Sequence, residues 1–281
     1  MPYKIIFTDI DGTLLNHDRQ LSPATISTIK KLKDQFPFVL ISARMPAAMR
    51  HLQADLDIDE QPIICYNGGL ILVNGEAVSS TEIPLNTVES LADFNKNMKC
   101  HLSLYHGDQW FVPQYDKWAA REENNTKVKP GLMANQEVIS KWKKDNKGAH
   151  KIMAMGDEAH IDAIKDYLSQ NFPEQLHLYR SKPTYLEIAN KEISKLTAIK
   201  YLLKNHYDLT PEQTIAFGDN YNDVEMIKGV GMGVAVGNAR KEVLEVANIV
   251  TQSGTEDGVA NSLKELFKIQ FEDSNDSLRG V

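Results

Sequence analysis

Residues 3–13 read YKIIFTDIDGT. A short apolar run closed by turn-forming residues predicts a buried strand over Tyr3–Thr8. The end of that strand is costly: Asp9 and Asp11 stand there one residue apart. Two like charges this close oppose each other's ionisation unless a cation lies beside them. Taken alone, DIDGT fits an ordinary strand-end turn equally well. The rest of the chain decides between a turn and a site.

Moving outward, strand and helix signals alternate. Ser22-Pro23 reads as an N-cap with proline at the first helical position, and Ile26, Ile29 and Leu32 follow at helical spacing. Phe38–Ile41 is a second strand, Met45–Asp55 a helix, and Pro62–Cys65 a third strand closed by Asn67-Gly68-Gly69. The C-terminal part repeats the pattern. Ser194–His206 is helical behind the Ser194 cap, and Thr214–Phe217 is a strand followed by a helix over Asp223–Lys228. Gly231–Val236 and Ile249–Val250 are strands, with helices at Lys241–Ala247 and Val259–Phe267. Short all-apolar strands separated by amphipathic helices predict an α/β core with a Rossmann-type parallel sheet covered on both faces.

Residues 84–186 have a different texture. HLSLYHGDQWFV (101–112) and KIMAMGD (151–157) are more polar and alternating, with helices expected at Val88–Lys96, Gln136–Lys144 and Ile161–Asn171. This predicts an inserted α+β domain with an antiparallel sheet, splitting the core into 1–83 and 187–281. Hinges are expected at Asn67–Gly75 with Pro84, and around Pro183–Ala189. The tail FEDSNDSLRGV has little to bury.

The chain has 281 residues, 25% charged, with a net charge of −7, which argues against nucleic acid or an anionic membrane as a general partner. No apolar run approaches the ~20 residues of a membrane span, and the N-terminus lacks the pattern of a signal peptide. Cys65, inside PIICY, reads as a small buried hydrophobe, and two cysteines suggest no disulfide framework. The expectation is a cytoplasmic protein, monomeric or weakly homo-oligomeric.

Open α/β sheets bind ligands beyond the carboxyl ends of their strands. Three polar groups sit at such ends: Asp9 to Thr13; Ser42-Ala43-Arg44; and Gly218-Asp219-Asn220-Tyr221-Asn222-Asp223. Lys195 opens the helix after the insert. Four acids, Asp9, Asp11, Asp219 and Asp223, then face one lysine, and a divalent cation with hard oxygen preference, Mg²⁺, relieves the repulsion best. A carboxylate can attack phosphorus, a second can move a proton, and metal and lysine can balance the transferring charge.

These residues resemble a known family. DIDGT, ISAR, the lysine of EISK, and GDNYND match, in order, the four motifs of the haloacid-dehalogenase superfamily of phosphatases. The insert between the second and third motifs, NGG (67–69) and TEDGVA (255–260) resemble its Cof-type branch with a large αβ cap. The resemblance implies Asp9 as nucleophile and Asp11 as general acid/base. It implies Mg²⁺ held by the Asp9 side chain, the Asp11 main-chain carbonyl and Asp219. Phosphate would be bound by Ser42, Lys195 and Asn222, with Gly12 and Ala43 in the binding loops and Asp223 behind the metal or Lys195. Ala43 stands where the family usually has glycine, and Leu196 follows Lys195 where glycine is common. The implied substrate is a small phosphorylated metabolite, a sugar phosphate.

Two other functions fit the same residues: a phosphomutase using the same aspartyl-phosphate, and a non-catalytic phosphosugar-binding regulator. In the insert, Tyr105, His106, Trp110, Trp118, Arg121 and Arg180 are candidate substrate contacts, each weighed against ordinary packing. His101 and His106 lack acids or cysteines at zinc spacing. Asp93, Asp108 and Asp157 read as surface charges, Lys141-Trp142-Lys143-Lys144 as one solvated helix face, and Arg44 as an ion-pair partner.

Overall fold

The computed structural model describes residues 2–268; the tail 271–281 lies outside the described residues. The chain begins with β1 (Ile5–Thr8), α1 (Pro23–Leu32), β2 (Phe38–Ile41), α2 (Ala47–Leu56), β3 (Ile63–Cys65), β4 (Leu70–Val73) and β5 (Glu76–Ser80). It continues through α3 (Leu85–Met98), β6 (His101–His106), β7 (Gln109–Val112), α4 (Lys117–Thr126), β8 (Gly131–Leu132) and α5 (Asn135–Asp145). Next come β9 (Lys151–Met155), α6 (Glu158–Asn171), β10 (Leu176–Lys182), β11 (Tyr185–Asn190) and α7 (Lys195–Leu202). The last elements are β12 (Thr214–Gly218), α8 (Val224–Gly229), β13 (Met232–Ala235), α9 (Lys241–Leu244), β14 (Ile249–Val250) and α10 (Gly258–Phe267).

Two sheets organise these elements. The first has eight strands in the order β14-β13-β12-β1-β2-β3-β4-β5. From β14 to β3 every pair is parallel, as the apolar strands demand, and all four residues of β1 and of β2 are buried. Helix α1 starts where expected, with the Ser22 hydroxyl accepting from Thr25 N–H and Pro23 in the first turn. The core is therefore α/β as read from the sequence, with a correction at one edge. Asn67–Gly75, expected as a hinge, instead turns the chain into β4, which runs antiparallel to β3 and pairs with β5. The sheet is mixed, because polar β5 (EAVSS) suits a solvated edge that an all-apolar strand does not.

The second sheet, β10-β11-β9-β6-β7-β8, is antiparallel except for the β7–β8 pair. One face packs on α3, α5 and α6 through a separate apolar cluster that includes Leu91, Trp142 and Ile164. Two expectations fail here, and one helix was not foreseen. Pro183–Ala189 is not a hinge; the chain turns at Pro183 and Thr184 and then runs through β11. Lys117–Thr126, given no element from sequence, is helix α4, its first turn capped by the Asp116 carboxylate accepting from Trp118 and Ala119 N–H. Lys141–Lys144 is not one solvated face, since the Trp142 side chain is 0% exposed inside that cluster. An indole amid charges at helical spacing is an amphipathic signal that the charges obscured. Cys65 and Cys100 are free and buried.

Candidate active site

Parallel register brings β1, β2 and β12 to a common edge, so the loops after them converge. Asp9 follows β1 and Ser42 follows β2, both buried. Asp219 follows β12. Lys195, first residue of α7, is 1% exposed, and its ammonium lies 2.5 Å from Asp9 Oδ1 and 2.6 Å from Asp223 Oδ1. The Ser194 capping box fixes that helix start and hence the lysine. Burial works to lower the Lys195 pKa, but Asp223 and Asp9 outweigh it and hold the group above its usual range.

Asp223 is fully engaged. Its second oxygen accepts from Asp219 N–H and Asn220 N–H, each at 3.0 Å, so it sets the loop and orients Lys195. Asp9 and Asp219 keep oxygens to spare. Burial pushes the Asp9 carboxyl well above the usual range, against the pull of Lys195. Burial and then the Asp223 charge raise Asp219 to about 6. Asp219 Oδ1 accepts from the Thr13 hydroxyl at 2.9 Å, and a Cβ built on Gly12 would lie 2.4 Å from Oδ2. Glycine with φ +88° is therefore required for the loop to pass this carboxylate. The ligand oxygens of Asp9, Asp219 and Asp223 lie within 4.8 Å of one another. Three carboxylates gathered this closely around one lysine, with the ionisation of Asp9 and Asp219 opposed, fit a small hard cation.

The remaining predicted residues are placed as follows. Ser42 Oγ accepts from Arg44 N–H at 3.2 Å, leaving its own proton to donate. Ala43 contributes its carbonyl to Lys151 Nζ of β9 at 2.9 Å. Asn222 does not point freely into the site; its amide donates to Asn67 Oδ1 at 3.0 Å. Asp11 is clamped: Arg44 binds it through two nitrogens at 2.7 Å each, and Arg19 adds a third bond at 2.6 Å. Burial favours the neutral acid, yet Arg44 and Arg19 hold its carboxyl below the usual range. The expectation of Arg44 as an ion-pair partner is met, with Asp11 as the partner.

Several contributors escaped the sequence reading. Thr13 steadies Asp219. Asn238 donates to the Gly12 carbonyl at 2.8 Å and accepts from Gly254 N–H at 2.8 Å, tying the segment before TEDGVA to the DIDGT loop. Tyr66 and Asn67 both have positive φ, 53° and 56°, which is strained for a tyrosine. Their amides donate to the carbonyls of Arg44 and Ser42, and the Tyr66 hydroxyl donates to the Gly107 carbonyl at 2.7 Å. The signal was present in NGG, which marks the turn without revealing its partners.

In the second sheet, Tyr105 and Trp110 are buried and stacked, Trp118 packs edge-on to Tyr185, and the Arg121 guanidinium lies over the Tyr185 ring. Arg180 is spent on Asp162 and Glu158. Asp108 pairs with Arg50 of α2 rather than standing alone.

This geometry can be compared with known proteins. A family model described as haloacid dehalogenase-like hydrolase matches residues 6–263. The chain belongs to the haloacid dehalogenase-like hydrolases. It is 32% identical over 282 residues to 5-amino-6-(5-phospho-D-ribitylamino)uracil phosphatase YitU of Bacillus subtilis, covering 95% of this chain and 98% of the relative. Among solved structures it matches a haloacid dehalogenase-like hydrolase from Bacteroides thetaiotaomicron at TM-score 0.86 and 27% identity, covering 94% of this chain and 100% of the other. A Thermotoga maritima protein, TM0651, matches at TM-score 0.84 and 26% identity, with 96% and 98% covered. As a member of this family the chain is an enzyme of the phosphoric monoester hydrolase class. Among the described residues no helix is long and apolar enough to cross a membrane.

Proposed function

We propose that this haloacid dehalogenase-like hydrolase cleaves small phosphomonoesters through an aspartyl-phosphate on Asp9, with Mg²⁺ as its cation. The observation that carries the reading is the Asp9–Lys195–Asp223 chain beside Asp219, assembled from residues more than two hundred positions apart. Asp9 and Asp219, with the Asp11 main-chain carbonyl, would hold the cation, which supplies charge balance for the phosphoryl oxygens.

Asp9 attacks phosphorus and the bond to the ester oxygen breaks. Lys195 stays within reach of both Asp9 and the phosphoryl oxygens, and the Ser42 hydroxyl donates to them. Asn222 joins once its amide leaves Asn67. Asp11, an ionised carboxylate held by Arg44 and Arg19, must leave that clamp and take up a proton from solvent when substrate enters. It then delivers that proton to the departing alcohol and later takes one from the water that opens the acyl phosphate. The unit built on the second sheet acts as a lid over the loops, choosing the leaving group and excluding water. Residues 84–186 were expected to form it; β11 extends it to Asn190. The relative named for a ribityl phosphate supports a metabolite with a polyol or sugar leaving group.

The test is phosphate release from p-nitrophenyl phosphate and a panel of sugar and polyol phosphates. Asp9→Asn should lower turnover by about 10³-fold or more, and chelation with EDTA should abolish it until Mg²⁺ is restored. Undiminished turnover by Asp9→Asn would refute the mechanism. Isomerised product without free phosphate would favour a phosphomutase.

A further inference from the structure

The register of the second sheet sets five side chains on one face. Tyr105 of β6 is opposite Lys151 of β9, Met153 of β9 is opposite Glu187 of β11, and Glu187 is opposite Tyr179 of β10. Side chains alternate along a strand, so Lys151 and Met153 share a face, and their cross-strand partners share it too. That face is turned to the loops of the first sheet, as its contacts show. Lys151 Nζ donates to the Ala43 carbonyl, Tyr105 meets the Tyr66 ring edge-on at 6.4 Å, and Asn67 Nδ2 approaches Glu187 Oε1 at 3.4 Å.

Two of these side chains carry charge without an opposite charge to match. The Lys151 ammonium has a carbonyl at 2.9 Å and the Tyr105 and Tyr66 rings at 4.7 and 5.7 Å. Glu187 has only the long contact from Asn67. Among the described residues neither makes an ion pair, although both are half-buried. Half-buried charge without a partner is costly, and the two do not neutralise each other. Diagonal neighbours on adjacent antiparallel strands are within reach of each other's long side chains. Yet the Lys151 ammonium is turned to the Ala43 carbonyl and the Glu187 carboxylate to the Asn67 amide, so a small molecule can bridge the two.

We propose that Lys151 and Glu187 select the leaving group, and that the leaving group is a polyhydroxylated chain or ring. This inference rests on the phosphomonoesterase reading above. An ammonium only donates hydrogen bonds and an ionised carboxylate only accepts them. A hydroxyl does both, so neighbouring hydroxyls satisfy the two ends at once, accepting from Lys151 and donating to Glu187. A purely apolar alcohol would leave both charges desolvated and unbonded, which is how polar sites reject analogues lacking a hydroxyl. Met153, between the two, offers the carbon backbone an apolar surface. The contact from Lys151 to Ala43 places the ammonium beside the loop that carries Ser42.

Lys151→Met and Glu187→Gln keep length and shape while removing charge. Steady-state kinetics with sorbitol 6-phosphate, ribitol 5-phosphate and p-nitrophenyl phosphate, the last lacking leaving-group hydroxyls, separate the possibilities. In the wild type at least one polyol phosphate should exceed p-nitrophenyl phosphate in kcat/KM. Each variant should lower that polyol preference by roughly tenfold or more, through KM as well as kcat. Equal loss on polyol and p-nitrophenyl phosphates would assign the two residues to loop or fold maintenance and overturn the proposal. An unchanged preference, or a wild type that hydrolyses p-nitrophenyl phosphate but neither polyol phosphate, would also overturn it while leaving the phosphatase reading intact. A wild type inactive on all three with Mg²⁺ present would remove that reading itself.

Discussion

Lys195 shows how one residue links stability to chemistry. Its ammonium is wholly buried and is the only cation bonded to Asp9 or Asp223 among the described residues. Removing one partner of such a group leaves charge buried without compensation, a loss of about 3–5 kcal/mol. Lys195→Met should therefore unfold at markedly lower urea than the wild type in the absence of divalent cation, and should also lose activity. A variant with unchanged urea midpoint would show that Asp9 and Asp223 do not depend on the lysine. At this scale the sequence was informative about residue types. Asp9, Asp219, Asp223 and Lys195 were legible because acids at strand ends are costly and therefore meaningful. The Arg44 clamp on Asp11 and the Asn222–Asn67 bond were not, because they depend on rotamers and on which neighbour arrives first.

Among the elements, the turn over Tyr66–Gly69 touches three of the four segments of the candidate site. Asn67 bonds the Ser42 carbonyl and the Asn222 amide, and Gly68, at φ +108°, packs directly on the start of α7. A Cβ on Gly68 would lie 2.6 Å from the Ser194 carbonyl, so Gly68→Ala has to displace the cap that positions Lys195. At Gly75, with φ +79° in the β4–β5 turn, an added Cβ would meet nothing within 4 Å. Gly75→Ala should cost only the left-handed backbone penalty, about 1–2 kcal/mol, with kcat preserved. Gly68→Ala should lose stability and kcat together. Equal kcat in the two variants would show that the turn does not support the site. The parallel strands of the first and last thirds were readable one by one because they are continuous apolar runs, whereas antiparallel β4 and β5 were not. In the middle, β10 (LHLYRSK) and β11 (YLEIAN) mix charge with apolar residues on two differently exposed faces, and a hinge was the easier reading.

Across the whole molecule, the two sheets meet through a hydrogen-bonded chain at the crossing beside β5. Gly107 N–H donates to His150 Nδ1 at 3.1 Å, which places the neutral ring's proton on Nε2, 3.0 Å from Ser80 Oγ. Ser80 in turn donates to Glu82, and Glu82 also accepts from Gly148 N–H. His106 Nδ1 donates to the Gly148 carbonyl at 3.1 Å. Glu82, His106 and His150 could be mistaken for a metal site, but both nitrogens of His150 are already committed. Nothing in the sequence spacing joined positions 80, 82, 106, 107, 148 and 150. The packing of one sheet against the other did. His150 stacks on the Tyr66 ring at 5.2 Å, and burial, then the neighbouring His106, push its pKa down to about 4 against the opposing pull of Glu82. The folded value lies below the ordinary 6.5, so between pH 6.5 and 4 the unfolded chain takes up a proton that the folded chain refuses. The stability from a neutral His150 is complete above pH 6.5 and drains away toward pH 4, by about 3 kcal/mol at most. Urea denaturation across that range should show His150→Asn with a shallower loss of stability on acidification than the wild type. Its amide oxygen can still accept from Gly107 N–H while carrying no titrating proton. Parallel pH profiles for the two proteins would place the acid sensitivity of the crossing elsewhere.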